Sequence, residues 1–197
     1  MLPNNLSKII EYLFRNLPNR FNVNQIARSL KISVGSAYNI LKLLSQKGIL
    51  ISQNIGNGIY YTLNLDNAQT KSIVELVLIE SKNKFLAETP QASIYAKDLK
   101  EAEKFCKAAI LFGSILERKD AKDVDALFIV TKGKTKKIED FCLRFSNLRP
   151  KRVSPLIMTA ADFRKNIARK DMVVADVLRR GVIVFGEDAI IKILRDL

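Results

Sequence analysis

Apolar residues recur along the first third of the chain at helical spacing and then at strand spacing. Leu6, Ile9, Ile10, Leu13, Phe14 and Leu17 fall three or four positions apart, which predicts a helix stopped by Pro18-Asn19. Residues 24–30 read as a short second helix. After a turn through Lys31-Ile32, Ser33 is placed to cap a third helix running to about Lys47. Val34, Ala37, Ile40, Leu41 and Leu44 form its apolar stripe, and Gly48 ends it. Residues 49–53 and 59–63 flank Gly56-Asn57-Gly58, the pattern of a hairpin with a glycine-permissive turn. Residues 68–87 follow as a long helix that is apolar around much of its circumference, which predicts burial on several sides. Pro90 breaks it, and 93–107 reads as an amphipathic helix leading into a strand at 108–112. The remainder alternates: strand 124–130, helix 136–147, strand 152–158, helices 160–169 and 171–180, strand 182–185 and a terminal helix 187–197.

Composition narrows the partners. The chain has 197 residues, 48% of them hydrophobic, enough for one large or two small cores. Its net charge of +13, from 33 Lys+Arg against 20 Asp+Glu, favours a polyanionic partner. No apolar run approaches the roughly 20 residues a membrane helix needs, so no membrane partner is expected. The first residues lack the charged-then-apolar pattern of a secretory signal. Cys106 and Cys142 read as reduced, buried thiols of a cytoplasmic protein. The absence of His rules out a His-based triad, and with two Cys leaves almost no basis for structural zinc.

The candidate chemistry lies in residues 110–130. Ile110-Leu111-Phe112 ends in Gly113-Ser114, and a short charged loop leads to Asp123-Val124-Asp125 at the start of the next apolar strand. Side chains two apart on a strand share a face, so both carboxylates aim at one spot. A Gly-Ser turn on the neighbouring strand lets backbone N–H groups and a hydroxyl approach a phosphate there. Two carboxylates beside a phosphate cradle describe a Mg²⁺–nucleotide site. This constellation resembles the nucleotidyltransferase superfamily of DNA polymerase β, especially its minimal members, whose signature is an apolar residue, Gly-Ser, a loop and Asp-x-Asp in a strand. The stretch from Leu178 to Gly186 is similar to the Gly-apolar-Gly end strand of the same small domains. The resemblance implies Asp123 and Asp125 as catalytic and metal-binding residues, Gly113 and Ser114 as nucleotide-binding residues, Mg²⁺ as cofactor and a nucleoside triphosphate as ligand. The sequence departs from the family at one point. A third carboxylate sits on a later strand in the family, and the matching strand here, 152–158, contains no acid. Glu117, Asp120, Glu139 and Asp140 are the acids able to substitute from a loop or helix, and spacing selects none of them.

The N-terminal pattern of three helices and a hairpin resembles a winged helix-turn-helix, carried by residues 25–33, Ala37, Leu41, Leu44 and Gly48-Ile49-Leu50. It implies double-stranded DNA as partner. Asn39 and Lys42 on the third helix have the chemistry for base edges, Ser36 and Tyr38 for phosphates, and Arg28 and Lys31 flank the groove. Residues 1–66 hold seven basic side chains against Glu11 and Asp66, a net of +5, and none of the seven lies in the wing.

The expected architecture is α+β: a winged helix-turn-helix at 1–66, a connecting helix at 67–90 and a nucleotidyltransferase-like mixed sheet flanked by helices at 91–197. Three functions compete. One is a DNA-binding regulator that senses or uses a nucleotide. Another is an enzyme transferring a nucleotidyl group to a hydroxyl or amine acceptor. The third is a non-catalytic, antitoxin-like partner-binding protein. Oligomeric state stays open, although helix-turn-helix readers often act as homodimers.

Overall fold

Helix α1 (Asn4–Arg15) buries Ile9, Ile10, Leu13 and Phe14, the stripe its periodicity predicts. The computed structural model describes residues 2–118 and 120–197. A two-residue strand β1 (Phe21–Asn22) leads into α2 (Val23–Leu30). Asn22 and Gln25 cap each other: each side chain accepts from the other's backbone N–H at 2.9 Å, which satisfies two helix-terminal donors at once. Ser33 Oγ accepts from the Ser36 N–H at 3.1 Å and opens α3 (Val34–Gln46). Strands β2 (Leu50–Ile55) and β3 (Gly58–Leu63) form the expected antiparallel hairpin, and β1 adds to the far edge of β3 in the order β1-β3-β2. Ile9, Phe14, Ile26, Leu41, Leu44 and Ile49 fill the core between these elements, each contributing about 1.5–3 kcal/mol by leaving water.

The chain divides into two compact units, Met1–Leu78 with Leu194–Leu197, and Ile79–Ile193, so the division falls inside α4 (Ala68–Glu88). In the first unit α4 buries Thr70, Val74, Val77 and Leu78, with the Thr70 hydroxyl donating to the Ile49 carbonyl at 3.4 Å. No helix among the described residues is long and apolar enough to cross a membrane.

In the second unit, α5 (Pro90–Leu99) starts at Pro90 instead of three residues later. A proline at the first helical position loses no hydrogen bond there, so it begins a helix as readily as it ends one. A 3₁₀ turn at Lys100–Lys104 replaces the rest of the expected helix, and β4 (Cys106–Phe112) begins two residues early because Cys106 already pairs with Val130. Then follow β5 (Asp123–Val130), α6 (Thr135–Leu148), β6 (Arg152–Thr159), α7 (Ala160–Ala168), α8 (Met172–Arg180), β7 (Val182–Phe185) and α9 (Glu187–Leu194).

The sheet order is β6-β5-β4-β7, with β5 and β6 parallel and β4 antiparallel to both its neighbours. One face carries Ala109, Leu111, Val124, Ala126, Phe128 and Val130, packed against Tyr95 and Leu99 of α5 and Ile138, Phe141 and Cys142 of α6. Alternate positions such as Ile110, Leu127 and Ile129 are equally buried on the opposite face, where α7 and α8 lie. Gly186, at φ 83°, ends β7 with its Cα against the Lys107–Ala108 backbone, where any side chain would collide. Cys106 and Cys142 are free and buried, and burial pushes both thiols up to about 12.

Strand β6 is an edge, and its outward-facing donors are largely removed. The Val153 N–H donates to Ser146 Oγ at 3.0 Å, Pro155 has no N–H, and the Thr159 N–H donates to Asp162 Oδ2 at 3.4 Å. Blunting of this kind discourages a second strand from adding.

Candidate functional site

The odd residues that open β5, Asp123 and Asp125, are half-buried at the end of the sheet, on the face opposite Val124 and Ala126. Beside them β4 ends at Phe112, which pairs with Asp125, and the chain turns through a 3₁₀ helix, Gly113–Leu116. Gly113 has φ 77°, and a Cβ there would run into the Asp125 carboxylate, with Asp125 Cγ at 3.2 Å and Cβ at 3.3 Å. Glycine is therefore required twice, by the backbone and by the neighbour. Ser114 is half-buried in the same turn, and its carbonyl accepts the Glu117 and Arg118 N–H groups at 3.1 and 2.9 Å. The structure thus brings together Gly113, Ser114, Asp123 and Asp125 from two adjacent strand ends.

Burial, and secondarily the charge of Asp123, raises the proton affinity of the Asp125 carboxyl above the ordinary carboxylate range. Two anions sharing one face repel each other, and a divalent cation between them relieves that repulsion. Two hard oxygen ligands of this kind suit a single Mg²⁺ completed by water and phosphate oxygens. No group of three or more acids, Cys or His able to hold a metal occurs among the described residues.

Each aspartate lines a depression of its own. A cleft of 410 Å³ is lined by Ser114, Arg118, Asp120, Lys122 and Asp123. A groove of 920 Å³ crosses the start of β6 and includes Phe112, Asp125, Glu139, Arg152 and Ser154. Of the four acids left open as substitutes, Asp120 and Glu139 line these depressions and Glu117 and Asp140 do not. The β5–β6 register sets Arg152 beside Asp123 and Ser154 beside Asp125, all on one face. Arg118, Lys122 and Arg152 escaped the sequence reading. For Arg152 the signal is its i, i+2 spacing with Ser154, which acquires meaning once the register is known; nothing in the loop sequence singles out Arg118 or Lys122.

The residues expected to meet DNA lie in the first unit. Arg28, Lys31, Asn39 and Lys42 are exposed, and Tyr38 is 50% exposed. Ser36 departs from expectation: it is half-buried and its hydroxyl accepts from Asn5 Nδ2 at 3.3 Å, because α1 begins beside the first turn of α3. Tyr38 stands near Tyr61, whose phenol is raised by burial and then by Tyr38. The hairpin exposes Ile51, Ile55 and Ile59, and Arg20 donates to Gln53 on it.

No family profile, curated protein or solved structure matches the chain.

Proposed function

We propose that the chain is a DNA-binding protein, with a winged helix-turn-helix in its first unit and a minimal nucleotidyltransferase-type domain in its second, the latter binding a Mg²⁺–nucleoside triphosphate. One observation carries the nucleotide reading: the Asp123–Asp125 pair shares a face with the Asp125 carboxylate seated against Gly113, directly before Ser114. The aspartates would hold Mg²⁺, whose contribution there is to neutralise phosphate charge. The Gly113-Ser114 turn would hold phosphate oxygens through its hydroxyl and backbone N–H groups. Nucleotide binding takes precedence over transfer, because β6 offers Arg152 and Ser154 where the resemblance calls for a carboxylate. The exposed Asn39 and Lys42 on α3, with Arg28 and Lys31 alongside, support the DNA reading.

Calorimetry on the full chain with Mg²⁺ and each nucleoside triphosphate tests the site. Binding should occur in wild type and disappear in Asp123→Asn/Asp125→Asn, and equal affinity in the double variant places the nucleotide elsewhere. For DNA, fluorescence anisotropy against salt concentration should give a steep negative slope. Asn39→Ala should cost about 1–3 kcal/mol of specific binding, and Lys42→Ala should lower the slope by about one for all sequences. A salt-independent or absent duplex interaction rejects the first half of the proposal. If no triphosphate binds, a non-catalytic partner-binding role becomes the better reading of the second unit.

A further inference from the structure

The strand on which the resemblance places a third carboxylate opens instead with a cation. Arg152 opens β6 directly beside Asp123, and Ser154 stands beside Asp125. Neighbouring strands lie about 4.8 Å apart, so Arg152 rises next to the pair, and it lines the same groove as Asp125. Other cations nearby are engaged. Arg149 forms a two-point contact with Asp98 at 2.7 and 2.9 Å, and Lys151 Nζ donates to the Ala121 carbonyl. Arg152 makes no side-chain hydrogen bond or ion pair among the described residues, and neither do Arg118 and Lys122 in the adjoining cleft. Among the described residues, Arg118, Lys122 and Arg152 thus line the depressions at Asp123 and Asp125 without a side-chain partner, alongside Asp120 and Glu139.

We propose that Arg152 is a phosphate-binding residue that supplies, next to a single metal at Asp123 and Asp125, the second positive charge of the site. Its ligand is a linked polyphosphate running from Ser114, Arg118 and Lys122 in the cleft to Arg152 in the groove. The planar guanidinium fork matches two phosphate oxygens, which an ammonium cannot do. This assignment rests on the Mg²⁺–nucleotide reading of the same site and adds the part of the ligand that is recognised, the phosphate chain, held independently of the base.

The test is calorimetry of the full chain with inorganic tripolyphosphate and, separately, ATP, each with and without Mg²⁺. Wild type should bind tripolyphosphate in Mg²⁺. Arg152→Gln should weaken it at least tenfold, and Arg152→Lys should restore only part of the loss, a graded rescue that a merely structural role would not produce. Without Mg²⁺, Asp123→Asn/Asp125→Asn should bind tripolyphosphate more tightly than wild type, and adding Arg152→Gln should remove that gain. If Arg152→Gln binds like wild type while the aspartate double variant loses Mg²⁺-dependent binding, the inference fails and the nucleotide reading stands. If tripolyphosphate binds through Arg152 but ATP does not bind, the nucleotide reading fails and only the phosphate-binding role of Arg152 stands. If wild type binds neither ligand, both fall.

Discussion

Gly113→Ala isolates the contact on which the candidate site is built. The residue sits at φ 77°, a backbone region that costs an L side chain about 1–2 kcal/mol. The added methyl also meets the Asp125 carboxylate, with Cγ at 3.2 Å and Cβ at 3.3 Å. Asp125 is half-buried between Phe112 on β4 and Ser154 on β6, so it cannot swing away freely. Overpacking of this kind costs about 1–3 kcal/mol. The sum is a loss of about 2–5 kcal/mol, read by urea unfolding of the second unit's transition. A double-mutant cycle separates the two causes. In an Asp125→Ala background the carboxylate is gone, and Gly113→Ala should then cost only the backbone part, about 1–2 kcal/mol. If Gly113→Ala is neutral, the positive φ is wrong. If its cost is the same in both backgrounds, the carboxylate is not what Gly113 accommodates, and the joint Gly113–Asp125 site loses its geometric basis.

Three further outcomes follow from the same geometry. Because burial and Asp123 raise the folded-state proton affinity of Asp125, the native state holds that proton more tightly than the unfolded chain, and stability falls as pH rises from the ordinary carboxylate range through the higher folded value. Asp125→Asn should abolish that decline, checked by thermal unfolding across pH, and an unchanged profile would assign it to other groups. Ser146→Ala removes the acceptor at 3.0 Å from the Val153 N–H, which leaves a donor unpaired on a buried strand residue and should cost about 1–3 kcal/mol by denaturant unfolding; a neutral result means water replaces the hydroxyl. Ser154→Asp places a third carboxylate in register with Asp125 and should tighten Mg²⁺ binding and raise Mg²⁺-dependent pyrophosphate release; no change in either would show that the shared face does not bring position 154 within reach of the ion.

The local features of this protein were legible in its sequence because each is expressed within a few residues. The 3.6-residue stripe of Ile9, Ile10, Leu13 and Phe14, the Ser33 cap and the Gly56-Asn57-Gly58 turn name their elements directly. The alternation from Asp123 to Val130 puts two carboxylates on one face before any neighbour is known. What required tertiary structure is what one strand or helix presents to another. A two-residue strand, Phe21–Asn22, has no period to read and exists because β3 offers it an edge. Pro90 carries the same local chemistry whether it ends one helix or begins the next, and packing of Ala92, Tyr95 and Leu99 decided for the latter. Ser36 looked like part of an outward helical face until Asn5 reached it from thirty-one positions away. Most consequentially, the register of β6 on β5 set Arg152 against Asp123. Slipping that pairing by one residue would send every side chain of the strand to the other face, and burial of Val153 and Ile157 against the α6 side of the sheet settles which alternative is taken.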